Sequence, residues 1–208
     1  MSVTIAEITM GDEPAAWAAA GFTVDGDVVQ IGTVRVRCVG RADGKRIRAW
    51  SLAGLPAEHR DLTELDGLAT TAGEPSTDPP PTHPNGVVQI DHIVVLTPNT
   101  GRTTDRFGDI GWEAKRVRTV ETYGPPMLQT FFRAGEVIVE LVGPPEPTGD
   151  GPAGFYGLAH TVTDLDATAA LLGEHLGPIK DAVQPGRRIA TLRHKAVGMS
   201  VATAFMTA

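Results

Sequence analysis

The segment Asp91–Asn99 reads DHIVVLTPN, and the segment Gly157–Leu172 reads GLAHTVTDLDATAALL. Each begins as an apolar strand that runs into a polar turn and then into a short helix. The spacing of equivalent points is nearly equal, since 19 positions separate His92 from Gly111 and 20 separate Gly157 from Gly177, and each glycine is placed to stop the helix. A fixed pitch of this kind predicts a repeated supersecondary unit.

The same order of elements extends beyond these two segments, because β-branched alternation typical of strands follows each helix. Two breaks rich in Gly and Pro, Thr70–Gly86 and Gly143–Gly154, divide the chain into three blocks. In each block the pattern predicts the order β-α-β-β-β. The predicted fold class is therefore α+β, built from repeated modules.

The three blocks predict a domain organisation. Residues 1–69 form a degenerate N-terminal module, in which Val3–Met10 is the first strand and Ile47–Leu52 closes the unit. Residues 70–86 form a Pro-rich linker with little regular structure, because proline supplies no donor to a strand ladder. Residues 87–208 form a paired-module domain, with modules at 87–143 and 155–208.

Composition narrows the classes of protein and partner. The chain has 208 residues, a net charge of −7, one Cys and 41% hydrophobic residues, which is typical of an ordinary globular protein. The acidic balance and the scattered Lys and Arg residues exclude nucleic acid as the main partner. No apolar run approaches the ~18 residues of a membrane span, and no basic signal region opens the chain. We therefore expect no membrane contact and a cytoplasmic location.

Four short phrases resemble the vicinal oxygen chelate superfamily, which includes glyoxalase I, fosfomycin and bleomycin resistance proteins and extradiol dioxygenases. They are DHIVVLTPN at Asp91–Asn99, GEVIVELVG at Gly135–Gly143, GLAHTVTDLDATAALL at Gly157–Leu172 and AFMT at residues 204–207. The resemblance implies a glyoxalase-like fold, in which the curved mixed sheets of paired modules enclose a cup that commonly holds a divalent metal.

In metal-binding members, the resemblance implies ligands from the first and last strands of each of two paired modules. His92 and Glu140 fill these places in the second block, whereas Gly157 and Thr203 stand there in the third. Glu140 is unusual in itself, because an ionised Glu within the apolar strand VIVELV is costly unless a partner meets it. Imidazole and carboxylate suit Zn, Ni, Mn or Fe, but two ligands rarely hold such an ion firmly. The cup therefore holds one divalent metal or none.

His160 is a third ligand only if the strand register allows it. His160 lies three positions after Gly157, and side chains alternate faces along a strand, so we expect it on the face opposite Gly157. A one-residue bulge before His160 would instead bring it to His92 and Glu140. Those three side chains would then form the two-His, one-carboxylate triad of non-heme iron oxygenases.

Candidate substrate-binding residues come from the strand that precedes Glu140. If Ala134 and Gly135 form a two-residue hairpin loop, Gln129 lies directly opposite Glu140. A carboxamide would then stand beside the carboxylate. Two further side chains would share that face of the strand, and these are Phe131 and Arg133.

Two more candidates lie earlier in the second block. Arg118, which alternates with Val117 and Thr119, either lines the cup as a cation for an anionic substrate or lies on a solvated strand face. Tyr123 precedes a Gly-Pro-Pro sequence, in a loop that could cover the opening of the cup.

These residues predict a protein that handles a small polar or aromatic molecule in the cup. Glu140 would be the proton-transfer base or a metal ligand, with His92 as its partner, in a metal-assisted lyase or isomerase reaction next to a carbonyl. One alternative is a metal-free binding or sequestration protein of the bleomycin-resistance kind, and another is a non-heme iron dioxygenase. The modules can pair within one chain or between two chains, and the second arrangement would be a homodimer.

Overall fold

The structure is a computed structural model that describes residues 2–121 and 124–208. The strands are β1 (Thr4–Met10), β2 (Val28–Ile31), β3 (Val34–Cys38), β4 (Ile47–Ala53), β5 (Glu64–Leu65), β6 (Leu68–Ala72), β7 (Val87–Leu96), β8 (Ala114–Val120), β9 (Met127–Ala134), β10 (Val137–Gly143), β11 (Gly154–Val162), β12 (Lys180–Asp181), β13 (Arg188–Thr191) and β14 (Ala202–Met206). The α-helices are α1 (Pro14–Ala19), α2 (Thr100–Asp109) and α3 (Leu165–Leu172), and short 3-10 helices span Ala57–His59 and Gly173–His175.

The two segments that open the second and third blocks form neighbouring central strands of an eight-stranded sheet. Its strand order is β12-β13-β14-β11-β7-β10-β9-β8. β7 is parallel to β10 and β11 is parallel to β14, whereas β7 and β11 pair antiparallel. Two β-α-β-β-β units therefore lie side by side within one chain, which confirms the predicted α+β fold.

Helices α2 and α3 begin where the sequence supplies caps. The Asn99 side chain accepts a hydrogen bond from a backbone N–H of α2, and Asp164 accepts two from α3, as expected of residues that precede a helix. Gly111, with φ of 87°, follows α2. The sequence predicts that α3 continues to Leu176, just before Gly177. The helix ends at Leu172 instead, because Gly173 adopts a φ of 52° and the chain continues as a 3-10 turn.

The first sheet shows that the prediction of one degenerate module is wrong. Its strand order is β2-β3-β1-β4-β6-β5. β1 is parallel to β3 and β4 is parallel to β6, whereas β1 and β4 pair antiparallel. The strand predicted to close the first unit, β4, therefore opens a second truncated unit. Asp66 and Gly67 turn the β5–β6 hairpin with φ angles of 53° and 88°, and an Asp-Gly pair between apolar residues is the sequence signal for it.

The Pro-rich segment is bound to the first sheet. β6 extends to Ala72, so the predicted linker begins as a strand, and residues 73–86 contain neither helix nor strand. Arg35 and Gln30 donate side-chain hydrogen bonds of 2.8 and 2.7 Å to carbonyl groups of residues 74 and 78. Both ring nitrogens of His83 are also hydrogen-bonded to backbone groups of the N-terminal part. The segment is a strap on the first sheet, not a free tether.

One apolar core joins the two sheets. Trp50 on β4 packs against Trp112 and Phe155 of the second sheet, with ring centroids 5.5 and 5.0 Å apart. The indole N–H of Trp112 donates to the carbonyl of Val3 at 2.9 Å. Trp17 and Trp50 are both buried in this core. This packing covers one face of the eight-stranded sheet, and the other face, with His92 and Glu140, is the cup.

Cys38 is buried in β3, and burial raises the pKa of its thiol to about 12. It is therefore a small core residue without thiolate reactivity near neutral pH. Within the described part of the chain, no helix combines the length and apolar character needed to cross a membrane.

Candidate functional site

Parallel pairing of β7 and β10 brings His92 and Glu140 onto one face of the sheet. Ile138 is the partner of His92, and Glu140 is the partner of Val94, so the two side chains stand one step apart on neighbouring strands. Both are largely buried, with side-chain exposures of 17% for His92 and 11% for Glu140. His92 Nε2 lies 3.5 Å from Glu140 Oε2.

The polar contacts of Glu140 continue across β9 to β8. Gln129 Nε2 donates to Glu140 Oε1 at 2.6 Å, and Arg118 Nε donates to Gln129 Oε1 at 2.5 Å. The guanidinium carbon of Arg118 lies 5.2 Å from the centre of the Phe131 ring, a cation–π distance. The structure thus brings four predicted site residues together with Phe131 on one face. Arg118 lines the cup instead of lying on a solvated strand face.

Asp91 fixes the other side of the His92 ring. His92 Nδ1 lies 2.7 Å from Asp91 Oδ1, and Arg187 Nη2 donates to Asp91 Oδ2 at 2.7 Å. Burial acts to raise the pKa of Asp91, but hydrogen bonds and charge interactions with His92 and Arg187 outweigh it and lower that pKa to about 2. Asp91 is therefore an ionised acceptor for the N–H at Nδ1 of His92 and directs Nε2 into the cup.

A β-bulge places Asp91 beside His92. On β11, Ala159 pairs with His92 and the next residue, His160, pairs with Ile90, so Asp91 is an extra residue on β7. The alternation of β11 is undisturbed at this point. His160 consequently lies on the face opposite the cup, and the bulge does not bring it to His92 and Glu140.

His160 is fully buried among aromatic side chains. Its ring centroid is 5.3 Å from that of Phe22 and 5.8 Å from that of Phe205. Burial lowers the pKa of His160 to about 3, against the smaller opposing effect of the Ala204 backbone, so the ring is neutral near pH 7. Among the described residues neither ring nitrogen has a hydrogen-bond partner of normal geometry. The triad considered for an iron dioxygenase is therefore not formed.

The β9–β10 hairpin register differs from the prediction by two residues. Ala134 pairs with Val137, so Gly135 and Glu136 form the loop, and the residue directly opposite Glu140 is Phe131. A shift of two keeps the same face, and Gln129 still reaches Glu140 diagonally. Arg133 is exposed near the loop, where its guanidinium contacts the Glu136 carbonyl at 3.5 Å. Tyr123, the remaining predicted contact, lies outside the described residues.

The third block has no ligand side chain at the two positions equivalent to His92 and Glu140. Gly157 pairs with Val94 and Ala159 with His92, so Gly157 takes the place equivalent to His92. Gly157 also pairs with Ala202, which makes Ala204 the counterpart of Glu140. The predicted counterpart Thr203 is wrong by one residue, and its side chain is buried on the other face. A Cβ on Gly157 would stand 2.5 Å from the Ala202 carbonyl oxygen, so strand packing alone requires this glycine.

The cup contains two adjoining cavities. One of about 320 Å³ lies over the polar side chains of Arg118, Gln129 and Glu140. The other, of about 200 Å³, is bounded by small side chains of the third block. Two residues line both cavities, His92 and Ile189. Residues 180–184 line the first cavity. Sequence analysis missed Arg187, which lies between β12 and β13, because nothing in its local sequence points to Asp91.

The family model for the Glyoxalase/Bleomycin resistance protein/Dioxygenase superfamily matches residues 91–191. The match starts at the bulged Asp91 and covers the paired modules as far as β13. This part of the chain is similar to that superfamily. No curated protein matches the sequence significantly.

Solved structures resemble the chain in fold at low sequence identity. A mutant of 4-hydroxymandelate synthase from Streptomyces coelicolor has a TM-score of 0.66 and 13% identity, over 100% of this chain and 93% of that one. A xylose isomerase-like TIM barrel/4-hydroxyphenylpyruvate dioxygenase fusion protein has a TM-score of 0.63 and 12% identity, over 100% and 49%. Methylmalonyl-CoA epimerase from Mycobacterium tuberculosis has a TM-score of 0.47 and 17% identity, over 59% and 89%. These matches show a shared fold alone.

The set of ligand side chains in the cup is too small for a resident divalent ion. His92 and Glu140 offer one nitrogen and one carboxylate, and Gly157 and Ala204 offer nothing from the opposite module. Across residues 2–121 and 124–208, no three His, Cys, Asp or Glu side chains converge on one point. Catalytic divalent sites usually have three protein ligands. The residues present therefore do not fit the metal that the family resemblance implies.

Proposed function

We propose that the cup binds a small carbonyl compound and moves a proton on the carbon next to its carbonyl, without a resident metal. The observation that carries this proposal is the pair His92 Nε2 and Glu140 Oε2, 3.5 Å apart in a cavity. At this distance one side chain can contact the C–H group of a bound substrate while the other contacts its neighbouring carbonyl oxygen, as general acid–base catalysis requires. The reaction class is isomerisation or epimerisation.

Glu140 is the base in this proposal. Its Oε1 accepts the hydrogen bond from Gln129, which leaves Oε2 facing His92 and the cavity. The carboxylate takes the C–H proton, and the electron pair of that bond moves to the carbonyl oxygen. Burial of Glu140 in its apolar strand limits the access of water to the carboxylate.

His92 is the acid. With Asp91 holding Nδ1, a protonated imidazole presents its Nε2–H to the developing oxyanion and gives up that proton to form an enol. Return of the proton from Glu140 to carbon, and of the enol proton to His92, restores both groups. Delivery to a different face or carbon yields the epimer or isomer. Every proton is accounted for by these two side chains.

Deuterium exchange tests the proposal whichever product the reaction forms. Incubation of a panel of small aldehydes, ketones, 2-oxo acids and their amides in D2O, followed by proton NMR, measures loss of the C–H signal. Glu140→Gln should lower the exchange rate at least ~100-fold, because general-base catalysis contributes about 10²–10⁴-fold. Exposed Glu174, changed to Gln, is the matched control. If the wild type and Glu140→Gln exchange every compound equally, the proposal is wrong.

A second candidate function is metal-free small-molecule binding. The cavity on the third-block side of the cup favours it, because that cavity is largely apolar and no carboxylate, Lys or Arg of the described residues lines it. A compound that binds in the cup with no Glu140-dependent exchange would support this alternative.

A further inference from the structure

Asp91 and Glu140 in the cup have partners that can neutralise them, but Arg118 does not. Asp91 pairs with Arg187 at 2.7 Å and contacts His92. Glu140 lies beside His92. Arg118, in contrast, contacts the neutral amide of Gln129 and the ring of Phe131. Within the described residues, no carboxylate lies in ion-pair distance of its guanidinium.

The contacts of Arg118 leave the outer edge of its guanidinium for a ligand. Nε is used by Gln129 at 2.5 Å, which leaves the N–H groups of both Nη atoms. The contact with Phe131 restrains the orientation of the guanidinium. Arg118 lines the same cavity as His92 and Glu140. A planar guanidinium held in this way matches the bidentate geometry of a carboxylate.

We infer that the substrate is a small organic acid whose carboxylate binds Arg118, an inference that rests on the proposed proton transfer. A single carboxamide, that of Gln129, separates Arg118 from Glu140. A carboxylate on Arg118 therefore places a nearby carbon of the same molecule within reach of Glu140 and His92. Gln129 acts as a spacer that sets this separation, and 2-oxo acids with an acidic C–H next to the carbonyl have the required arrangement.

The experiment compares acids with their amides, which have the same shape but no charge. The probes are 2-oxobutanoate, 2-oxopentanoate and 2-oxo-4-phenylbutanoate, each with its own 2-oxo amide, and deuterium exchange is measured as kcat/KM. At least one acid should exchange at least ~10-fold faster than its amide, since a charge-assisted hydrogen-bonded pair is roughly twice as strong as a neutral one. Arg118→Gln should remove the advantage of the acid, because it slows exchange of the acid more than that of its amide.

Controls separate the roles of charge, folding and chemistry. Arg118→Lys keeps the charge without the fork geometry and should retain an intermediate preference for the acid. Arg106→Gln changes an exposed arginine of α2 that pairs with Asp109 outside the cup, and it should have no effect. Circular dichroism and thermal unfolding confirm that each variant is folded.

The outcomes distinguish this inference from the proposed function. If Glu140-dependent exchange occurs but the acids have no advantage over their amides, or Arg118→Gln slows both members of a pair equally, the carboxylate inference is wrong and the proton-transfer proposal stands. If no probe shows Glu140-dependent exchange, the proposed function fails and the inference fails with it.

Discussion

Acidification should destabilise the protein through His160, and a single substitution should remove this effect. Burial lowers the pKa of His160 from 6.5 to about 3 in the folded protein. The unfolded chain therefore binds a proton as the pH falls below 6.5, whereas the folded protein does not. The stability contributed by the neutral ring is complete above pH 6.5 and is lost progressively toward pH 3.

The magnitude follows from the size of this pKa difference. A pH of 5.0 lies about 1.5 units below the pKa of His160 in the unfolded chain, and each unit corresponds to about 1.4 kcal/mol. The free energy of unfolding is therefore about 2 kcal/mol lower at pH 5.0 than at pH 7.5. Solvent screening does not reduce this figure, because the ring is fully buried against Phe22 and Phe205.

Urea unfolding at pH 7.5 and pH 5.0 measures the effect as a difference between proteins. His160→Leu should lose about 2 kcal/mol less than the wild type between the two pH values, because leucine binds no proton in either state. Contributions from all other groups cancel in this comparison. His59→Leu, at a half-exposed site in a 3-10 helix, is the control and should follow the wild type. Equal pH dependence of wild type and His160→Leu would refute the burial of a neutral ring at this position.

Other predictions concern the packing around two glycines and a hydrogen bond between the two sheets. Gly157→Ala should destabilise the protein by about 1–3 kcal/mol in urea unfolding, because its Cβ would meet the Ala202 carbonyl oxygen at 2.5 Å. Gly108→Ala, whose Cβ meets nothing within 4 Å on helix α2, should instead stabilise it by about 0.5 kcal/mol, and the same sign for both would contradict this account. Trp112→Phe should lower stability by about 1–3 kcal/mol, because the buried carbonyl of Val3 loses its donor. A thermal melting temperature equal to that of the wild type would show that this hydrogen bond does not tie the sheets together.

The paired modules could be predicted from sequence because their signals are local. Period-two alternation marks the strands, and a capping side chain precedes each helix of the eight-stranded sheet. The face that carries His92 and Glu140 could be predicted for the same reason, since alternation fixes which residues share a face. The four-unit organisation was missed because the second unit of the first sheet contains strands of only two and five residues after β4, too short for a periodic pattern.

Register and long-range contacts could not be predicted from these local signals. The β9–β10 loop falls at Gly135, whose φ of 74° suits a tight hairpin, instead of one residue earlier. The predicted counterpart of Glu140 was Thr203 instead of Ala204, because the register of β14 depends on its pairing with β11 and not on local sequence. The Asp91–Arg187 contact joins residues 96 positions apart, and it depends on a bulge and on the placement of the β12–β13 segment, neither of which has a sequence signature here.

The most direct test of the central claim is deuterium exchange by protein freed of divalent metals. The protein is dialysed against a chelator, its metal content is measured by elemental analysis, and exchange of 2-oxobutanoate is followed with and without added Zn, Ni, Mn or Fe. Because no three His, Cys, Asp or Glu side chains of residues 2–121 and 124–208 converge on one point, we expect exchange to persist at the same rate in the metal-free protein and to disappear in Glu140→Gln. Exchange that stops on chelation and returns with one of these ions would contradict the account.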